Sequence, residues 1–394
     1  MTPTLLIECT HTYKSGRNTG IQRVVRNILR HAPAAAAGLG LAVVPLVFDG
    51  DRPRIIDAAA VLDGTPPAPI GTAGRIGRKL RTLTGSTASD LDRYGTGSVL
   101  LLLDSSWDLP LWPAVRRFQA RGGRVASVIY DLIPLSHPES AFGDLPAIFE
   151  RWLEAQAQTS EAFLCISAAT ATELTRFMTA TGRHPPITPF RLGSELDLAR
   201  PDHEIRPEFR AMFVTDRPSF LMVGSIEPRK RHGFALDAFE LYWRQGGTGA
   251  LIVLGRQDWR SDALLERIAR HPELNKRLFL VRDADDAALD HAYRHATALI
   301  MTSKAEGFGL PIVEAFQRGL AVLCSDIPVF REVGATGAGF FAADDPADLA
   351  RLLSTPPVLT APGQWITWRD SVAELVGALA AALKLEKSAS AINT

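Results

Sequence analysis

Short runs of apolar residues alternate with amphipathic segments along most of the chain, beginning with the run at residues 5–8. The next segment, residues 20–30, has apolar side chains at helical spacing, at Ile21, Val24, Val25, Ile28 and Leu29. Runs that are apolar throughout and separated by helices are typical of a parallel sheet covered on both faces. The pattern therefore predicts an α/β protein.

The alternation occurs twice, once before and once after a proline-rich stretch. In the first half it predicts strands over residues 5–8, 42–48, 99–104, 125–131 and 162–167, with helices near 20–30, 113–121, 146–159 and 168–179. In the second half it predicts strands over residues 220–224, 250–255, 278–281, 298–302 and 321–324, with helices near 232–244, 261–270, 286–296 and 311–318. Residues 49–97 are rich in Gly, Pro, Thr and Arg and predict an irregular insertion.

Six prolines fall within residues 182–218, and we place a domain junction there. The expected architecture is two doubly wound, Rossmann-like domains, residues 1–195 and 215–363, with a helix near 364–384 that packs back on the first domain. Ligands bind beyond the carboxyl ends of the strands in such sheets. Two domains that face each other across a cleft would suit an enzyme with two substrates.

The amino-acid composition of the chain excludes several classes of function. Lys+Arg and Asp+Glu both number 43, so the basic excess of a general nucleic-acid binder is missing. Cys9, Cys165 and Cys324 lie far apart in apolar stretches, which argues against a disulfide framework or a zinc site. No run reaches the roughly 18 apolar residues of a membrane helix, and the N-terminus reads as a strand rather than a signal peptide. We expect a cytoplasmic protein that binds neither nucleic acid nor metal.

The segment with the strongest chemical signal is residues 303–315, Ser-Lys-Ala-Glu-Gly-Phe-Gly-Leu-Pro-Ile-Val-Glu-Ala. Gly307 and Gly309 allow a tight turn, and the free N–H groups of the helix that follows attract an anion. Glu306 and Glu314 flank this anion site, and carboxylates accept hydrogen bonds from sugar hydroxyls. The segment predicts binding of a sugar joined to a nucleotide, although a glycine turn with two solvated acids has the same spacing.

A second segment, residues 223–232, follows the first strand of the second half directly. Gly224 frees the backbone, and Arg229, Lys230 and Arg231 follow as three consecutive cations. Guanidinium groups fork onto phosphate oxygens and an ammonium adds a point charge. A cation run is often only a solvated surface, but its place after a strand end and a glycine favours a phosphate site.

These two segments resemble glycosyltransferase family 4, which contains retaining enzymes of the GT-B fold. Residues 283–293 are similar to the passage near the nucleotide base in that family, and residues 167–174 to a segment of its N-terminal domain. Residues 18–26 resemble the first loop and helix of a bacterial polysaccharide subgroup that contains many mannosyltransferases. The resemblance covers nearly the whole chain; it is strong over 220–345 and weak over 49–97.

The resemblance implies a role for each matching residue. Arg229 and Lys230 would neutralise the donor diphosphate, Glu306 would contact the donor sugar, and Glu314 would hold the ribose. The catalytic set would be Glu306, Arg229, Lys230 and Asp131. The donor site would comprise Gly224, Arg229, Lys230, Asp283, Glu306, Gly307, Phe308, Gly309, Leu310 and Glu314. The acceptor or sugar pocket would include Thr19, Gly20, Tyr130 and His137.

Two sequence features depart from the family or point elsewhere. Many members have His-Asp or His-Glu after a strand of the N-terminal domain, where this chain has Tyr130-Asp131, and His137 could approach the site instead. The sequence Asp283-Ala-Asp285 looks like the metal-binding motif of another transferase fold, but a helix cap after a strand explains it better. We therefore expect no metal and no cofactor other than the nucleotide-sugar co-substrate.

The implied function is transfer of a sugar to a saccharide or lipid-linked saccharide in surface polysaccharide synthesis, with GDP-mannose as the first choice of donor. The basic run at residues 75–81 could touch the inner face of the membrane. Two alternatives stay open: a non-catalytic GT-B protein that supports a partner transferase, and a GT-B enzyme of different chemistry such as a sugar-nucleotide epimerase or a phosphorylase. Intact Glu306, Arg229, Lys230 and Glu314 argue against the non-catalytic alternative.

Overall fold

A computed structural model of the protein describes residues 2–15, 19–64, 90–196, 205–213, 216–257, 260–334, 337–356 and 365–385. The chain forms two compact units. The first unit comprises Met1–Leu135, Asp144–Leu192 and Trp368–Thr394, and the second comprises Ser136–Gly143 and Gly193–Thr367. The boundary after Leu192 lies inside the proline-rich stretch. The segment Ser136–Gly143, which the sequence assigned to the first domain, belongs to the second unit.

The strands of the first unit are β1 (Thr4–Glu8), β2 (Ala42–Asp49), β3 (Arg52–Ile55), β4 (Val99–Leu102), β5 (Arg124–Ile129), β6 (Ala162–Cys165) and β7 (Ile187–Pro189). They form one sheet in the order β3-β2-β1-β4-β5-β6-β7, in which only β3 is antiparallel to its neighbour. The central strands β1 and β4 are buried throughout because helices cover both faces of a parallel sheet.

The strands of the second unit are β8 (Ser219–Val223), β9 (Ala250–Leu254), β10 (Leu278–Val281), β11 (Ala298–Met301), β12 (Ala321–Ser325) and β13 (Ala338–Phe341). They form a parallel sheet in the order β10-β9-β8-β11-β12-β13. In both sheets the strand order reverses at the centre, between β1 and β4 and between β8 and β11. These two doubly wound sheets confirm the α/β class that the sequence predicts.

The helices of the described residues connect these strands. In chain order they are α1 (Thr10–Ser15), α2 (Gly20–Ala37), α3 (Ala59–Leu62), α4 (Trp112–Ala120), α5 (Ile133–Ser136), α6 (Leu145–Thr159), α7 (Ala168–Thr181), α8 (Pro207–Arg210), α9 (His232–Arg244), α10 (Asp262–Ala269), α11 (Asp286–His295), α12 (Leu310–Gln317), α13 (Pro328–Gly334), α14 (Pro346–Ser354) and α15 (Trp368–Ala382). The last helix, α15, belongs to the first unit and contacts α2. In α2 the side chains of Val24, Val25, Ile28 and Leu29 are buried, as their helical spacing predicts.

Three strands were not predicted: β3, β7 and β13. All three lie at the edge of a sheet, where a strand is bonded on one side only. Edge strands tolerate proline and charge, and Pro53 in β3 and Pro189 in β7 interrupt the apolar pattern on which the prediction relied. Because of β3 and α3, the interpretation of residues 49–97 as an irregular insertion was wrong for its first part. Residues 65–89 lie outside the described residues.

Candidate functional site

The candidate site lies at the point where the strand order of the second sheet reverses. Strands β8 and β11 lie side by side there and end at Val223 and Met301. Open parallel sheets bind their ligands at this position. The loops that follow the two strands, residues 224–231 and 302–309, are the two segments that the sequence singled out.

Hydrogen bonds to the backbone join these two loops. The Thr302 hydroxyl donates to the carbonyl oxygen of Lys230 over 2.7 Å. The backbone N–H of Lys304 donates to the carbonyl oxygen of Arg229 over 2.9 Å. Residues Pro228–Lys230 form a single 3₁₀ turn that presents both carbonyls in succession. Segments that are more than 70 positions apart in the sequence therefore build one site.

Glu306 contacts both predicted phosphate-binding cations. Its Oε2 lies 2.7 Å from Nη1 of Arg229, and its Oε1 lies 3.2 Å from Nζ of Lys230. The Ser303 hydroxyl donates to Oε1 over 2.9 Å. Burial raises the pKa of Glu306, but the charges of the two cations and the hydrogen bonds outweigh it and lower the pKa to about 2. The carboxyl group is therefore ionised at neutral pH.

Arg229 makes further contacts beside this ion pair. Its Nη1 donates to the carbonyl oxygen of Ala305 over 2.6 Å, and its Nη2 lies 2.6 Å from Oε1 of Glu227. The side chain is 16% exposed. The resemblance implies that Arg229 neutralises the donor diphosphate, and the structure adds contacts that hold the loop before Glu306. Arg229 and Lys230 face two carboxylates, so the four charges balance.

Gly224 allows Lys230 to reach Glu306. The glycine has a φ of +133°, a conformation that residues with a side chain rarely adopt. A Cβ atom at this position would lie 2.8 Å from Nζ of Lys230. The absence of a side chain at Gly224 therefore makes room for the ammonium group.

The N-terminus of α12 completes the site. Gly309, with a φ of +105°, precedes the helix, and Leu310 and Pro311 begin it. Gly307 and Phe308 are buried, and the Phe308 ring lies 6.0 Å from the ring of Trp365. The first N–H groups of a helix lack partners inside the helix and favour an anion. These residues occupy the positions expected for backbone donors to phosphate or sugar.

Glu314 does not lie beside Glu306 as an open carboxylate. It is 2% exposed on α12, and its Oε2 accepts a hydrogen bond from the hydroxyl of Tyr293 over 2.7 Å. The carbonyl oxygen of Glu314 accepts from Nη1 of Arg318 over 3.1 Å. Glu314 is therefore part of the buried side of its helix, and its predicted contact with the ribose stays a prediction. Its neighbour Tyr293 comes from α11 and could not be paired with it from spacing.

His137 lies in the segment Ser136–Gly143 of the second unit rather than in the first. Its Nδ1 is 3.5 Å from Oε1 of Glu139, and the same oxygen is 3.0 Å from Nζ of Lys304. The hydrogen bond from Lys304 lowers the pKa of Glu139. His137 is therefore linked through Glu139 to the loop that carries Glu306. Its predicted place in an acceptor or sugar pocket stays a prediction.

Tyr130 and Asp131 follow β5 in the first unit. Tyr130 is 9% exposed, and its hydroxyl donates to the carbonyl oxygen of Leu103 over 2.9 Å. Burial, together with the charges of nearby carboxyl groups, raises the pKa of Tyr130. The hydroxyl is thus satisfied inside the unit, and the place of Tyr130 in an acceptor or sugar pocket stays a prediction. Asp131 is half-buried and accepts a hydrogen bond from the backbone N–H of Ile133 over 3.0 Å.

The remaining predicted residues lie at the start of a helix or in the loop before one. Thr19 and Gly20 are exposed at the start of α2, where the Thr19 hydroxyl contacts the Gln22 side chain. Asp285 caps α11 by accepting from the backbone N–H of Ala288 over 2.8 Å, as predicted. Asp283 is exposed and forms two hydrogen bonds of 3.0 Å with Arg206.

A pair of buried carboxyl groups was missed. Glu8 and Asp104 are 1% and 5% exposed; Glu8 is the last residue of the central strand β1, and Asp104 follows the central strand β4. The Ser106 hydroxyl and the N–H of Thr10 both donate to Oε1 of Glu8, over 2.9 and 2.8 Å. Burial and the neighbouring Asp104 raise the pKa of Glu8 to about 7. The sequence signal that could have revealed this pair is an acidic residue at the end of an apolar run, which both Glu8 and Asp104 show.

The part of the chain that contains the site is similar to a known protein family. Residues 206–355 match the family model of glycosyl transferases group 1. These residues are similar to a group 1 glycosyl transferase domain. The matched range contains both loops of the site and α12, and it confirms the resemblance inferred from the motifs at Gly224 and Glu306.

Curated relatives extend the similarity. The chain is 34% identical over 270 residues to the serotype-specific mannosyltransferase WbdA of Escherichia coli, a match that covers 64% of this chain and 33% of WbdA. It is 27% identical over 229 residues to the O-antigen chain mannosyltransferase B of Escherichia coli, which covers 57% of this chain and 58% of that protein. The chain thus spans about a third of the length of WbdA.

A solved structure supports the fold. Anabaena Alr3699/HepE in complex with UDP and glucose is similar to this chain with a TM-score of 0.57 at 17% identity, over 97% of this chain and 95% of that chain. The similarity confirms the predicted GT-B fold of two Rossmann-like domains. Within the described residues, no helix combines the length and the apolar character that a membrane span requires. The basic run at residues 75–81 lies outside the described residues.

Proposed function

We propose that the protein is a retaining, metal-independent glycosyltransferase that moves mannose from GDP-mannose to a saccharide or lipid-linked saccharide acceptor in polysaccharide synthesis. The observation that carries this proposal is the convergence of Arg229, Lys230, Glu306 and the α12 N-terminus at one strand-end site. The two mannosyltransferases to which the chain is similar support the choice of sugar. Action on the inner face of the membrane belongs to the same proposal.

The cations and the helix N-terminus would bind the donor diphosphate. As the bond between the sugar C1 and the diphosphate oxygen breaks, negative charge grows on the leaving group, and Lys230, Arg229 and the first N–H groups of α12 stabilise it. The acceptor hydroxyl oxygen bonds to C1 on the same face, and its proton passes to the departing phosphate oxygen. The anomeric configuration is retained, and no protein nucleophile is needed.

Glu306 has two functions in this proposal. Before the donor binds, its carboxylate neutralises Arg229 and Lys230 and keeps both buried cations in place. A diphosphate that approaches Lys230 would share its ammonium group with Glu306, since an ammonium has three N–H donors. A carboxylate in this position also stabilises positive charge that develops on the sugar ring in the transition state.

Transfer is tested with the purified chain, GDP-mannose and an α-mannoside acceptor. We expect the acceptor to stimulate GDP release and the product to keep the α configuration by NMR. Lys230→Ala should abolish turnover, whereas Lys276→Ala, an exposed lysine of the same unit, should not change it. Thermal stabilisation by GDP-mannose without turnover would favour the non-catalytic alternative. A changed sugar nucleotide without transfer would favour an epimerase.

We propose metal independence because Lys230, Arg229 and the first N–H groups of α12 can all donate hydrogen bonds to the leaving group. We expect turnover to persist in excess EDTA, because Lys230, Arg229 and the α12 N-terminus are available to stabilise the diphosphate. The measurement is GDP release before and after chelation, with an enzyme of known Mg²⁺ dependence as the positive control. Loss of activity that Mn²⁺ or Mg²⁺ restores would contradict this part of the proposal.

A further inference from the structure

A cavity of about 330 Å³ lies in the first unit, apart from the donor site. Trp107, Asp108 and Trp112 line it from the loop after β4 and the start of α4, and Ile148, Arg151 and Trp152 line it from α6. We call it the tryptophan cavity. Its volume falls within the roughly 300–1,000 Å³ of typical ligand pockets.

The aromatic side of the cavity is anchored in the core of the unit. The ring of Trp107 meets that of Phe149 edge to face at 5.5 Å, and Phe149 contacts Trp152 at 5.2 Å. Trp152 is 6% exposed, whereas Trp107 and Trp112 are half-buried. Packed aromatic rings of this kind offer a rigid apolar surface at little entropic cost.

Polar groups border the same surface. The Asp108 carboxylate, 63% exposed, lies 3.0 Å from Nε2 of His11. The Arg151 side chain is exposed and has no hydrogen bond or ion pair with any described residue. The charges of Asp108 and Arg151 cancel, so the cavity suits a neutral ligand. A ligand with many hydroxyls fits best, because each hydroxyl can accept from Arg151 and donate to Asp108.

The position of the cavity agrees with a ligand site. Trp107 and Asp108 follow β4, which lies beside β1 where the strand order of the first sheet reverses. His11, which contacts Asp108, lies in α1 after β1. Ligands bind at this point in open parallel sheets. A nucleotide is a poorer match because the charges of Asp108 and Arg151 cancel and leave no net positive charge for a diphosphate.

We infer that the tryptophan cavity is a saccharide subsite that holds a neutral hexopyranose unit of the acceptor, with the sugar ring stacked on Trp107 and its hydroxyls bonded to Asp108 and Arg151. This inference rests on the proposed transferase function, which supplies the acceptor. It assigns acceptor recognition to residues of the first unit that the motifs do not include.

The inference is tested by calorimetry. The measurement is the binding of α-linked mannotriose to the full chain in the absence of donor. Arg151→Ala should weaken binding about tenfold, which corresponds to the loss of a hydrogen bond to a charged group. Arg176→Ala is the matched control, because Arg176 is also exposed on a helix of this unit, α7, but does not line the cavity. It should bind mannotriose as the unchanged protein does.

Trp107→Phe is the second variant, since it keeps a ring that can pack against Phe149. It should weaken mannotriose binding and leave thermal stabilisation by GDP-mannose unchanged. Absence of mannotriose binding, or equal binding by the Arg151→Ala and Arg176→Ala variants, would overturn the subsite. If mannotriose binds in an Arg151-dependent way but no sugar is transferred, the cavity is a saccharide site, and the transferase proposal that makes this saccharide an acceptor fails. If transfer proceeds with the same acceptor KM in both arginine variants, the transferase proposal stands and the subsite fails.

Discussion

Glu306 and Glu314 stand eight positions apart around one glycine turn, but they have different surroundings. Glu306 faces two cations, whereas Glu314 is buried and paired with the hydroxyl of Tyr293. A carboxylate among cations acts mainly through charge, while a buried carboxylate bonded to a phenol also contributes to the stability of the unit. Substitution of Glu306 should therefore affect mainly catalysis, whereas substitution of Glu314 should also affect the stability of the unit.

We predict that Glu306→Gln lowers kcat about a hundredfold without raising the donor KM. The change removes a charge that acts on the transition state, and it leaves Arg229 and Lys230 with more positive charge for the diphosphate. Steady-state kinetics on GDP-mannose measure both constants, with circular dichroism as the folding control. An unchanged kcat would place the donor sugar away from Glu306.

For Glu314→Gln we predict a higher donor KM with kcat little changed, together with a lower melting temperature. The temperature shift should reflect about 1 kcal/mol for a weakened buried hydrogen bond. Tyr293→Phe is the matched control, because it removes the same hydrogen bond and keeps the carboxylate. If both variants raise the donor KM equally, the effect comes from packing, and the carboxylate has no contact with the donor.

At the scale of elements, the loop between β8 and α9 depends on the space beside Gly224. In Gly224→Ala the φ of +133° would strain the alanine backbone and lower the melting temperature, and the new methyl group would displace the flexible end of the Lys230 side chain. We predict a folded protein in which Lys230 no longer reaches Glu306, with a donor KM raised about tenfold for the loss of a charged hydrogen bond. The measurement is donor kinetics combined with thermal melting.

Gly233→Ala provides the control for this substitution. Gly233 lies in α9, and a Cβ there would meet only a Leu264 methyl at 3.8 Å. Alanine should leave the donor KM unchanged and raise stability by about 0.5–1 kcal/mol, since glycine disfavours a helix. Equal donor constants for Gly224→Ala and the unchanged protein would show that Lys230 does not need this space.

At the scale of the whole molecule, the sequence predicts the central strands and the two loops of the donor site. Buried strands such as β4 and β11 are apolar throughout, and glycines and cations directly after β8 mark an anion site without any tertiary information. The features that the sequence does not predict depend on contacts between residues that are far apart in the chain. The burial of Glu314 depends on Tyr293, and the assignment of Ser136–Gly143 to the second unit is accompanied by the contact between Glu139 and Lys304.

The buried pair of Glu8 and Asp104 has a consequence for the stability of the first unit. Burial and the charge of Asp104 raise the pKa of Glu8 from 4.5 to about 7, while the unfolded chain keeps the ordinary value. Between these two pH values the folded protein binds more protons than the unfolded chain. The contribution of Glu8 to the free energy of unfolding is therefore largest below about pH 4.5. It falls as the pH rises to about 7 and does not recover above that pH.

We predict that Glu8→Gln removes this dependence. Glutamine is neutral at every pH and can still accept hydrogen bonds from Thr10 and Ser106. The variant should be more stable than the unchanged protein at pH 8, by about 1–3 kcal/mol, and should lose this advantage near pH 5. Calorimetric melting at both pH values measures the difference. Glu150→Gln, an exposed carboxyl on α6, should shift neither melting curve. A Glu8→Gln variant that is less stable than the unchanged protein at pH 8 would mean that Glu8 is ionised in the fold and stabilised there.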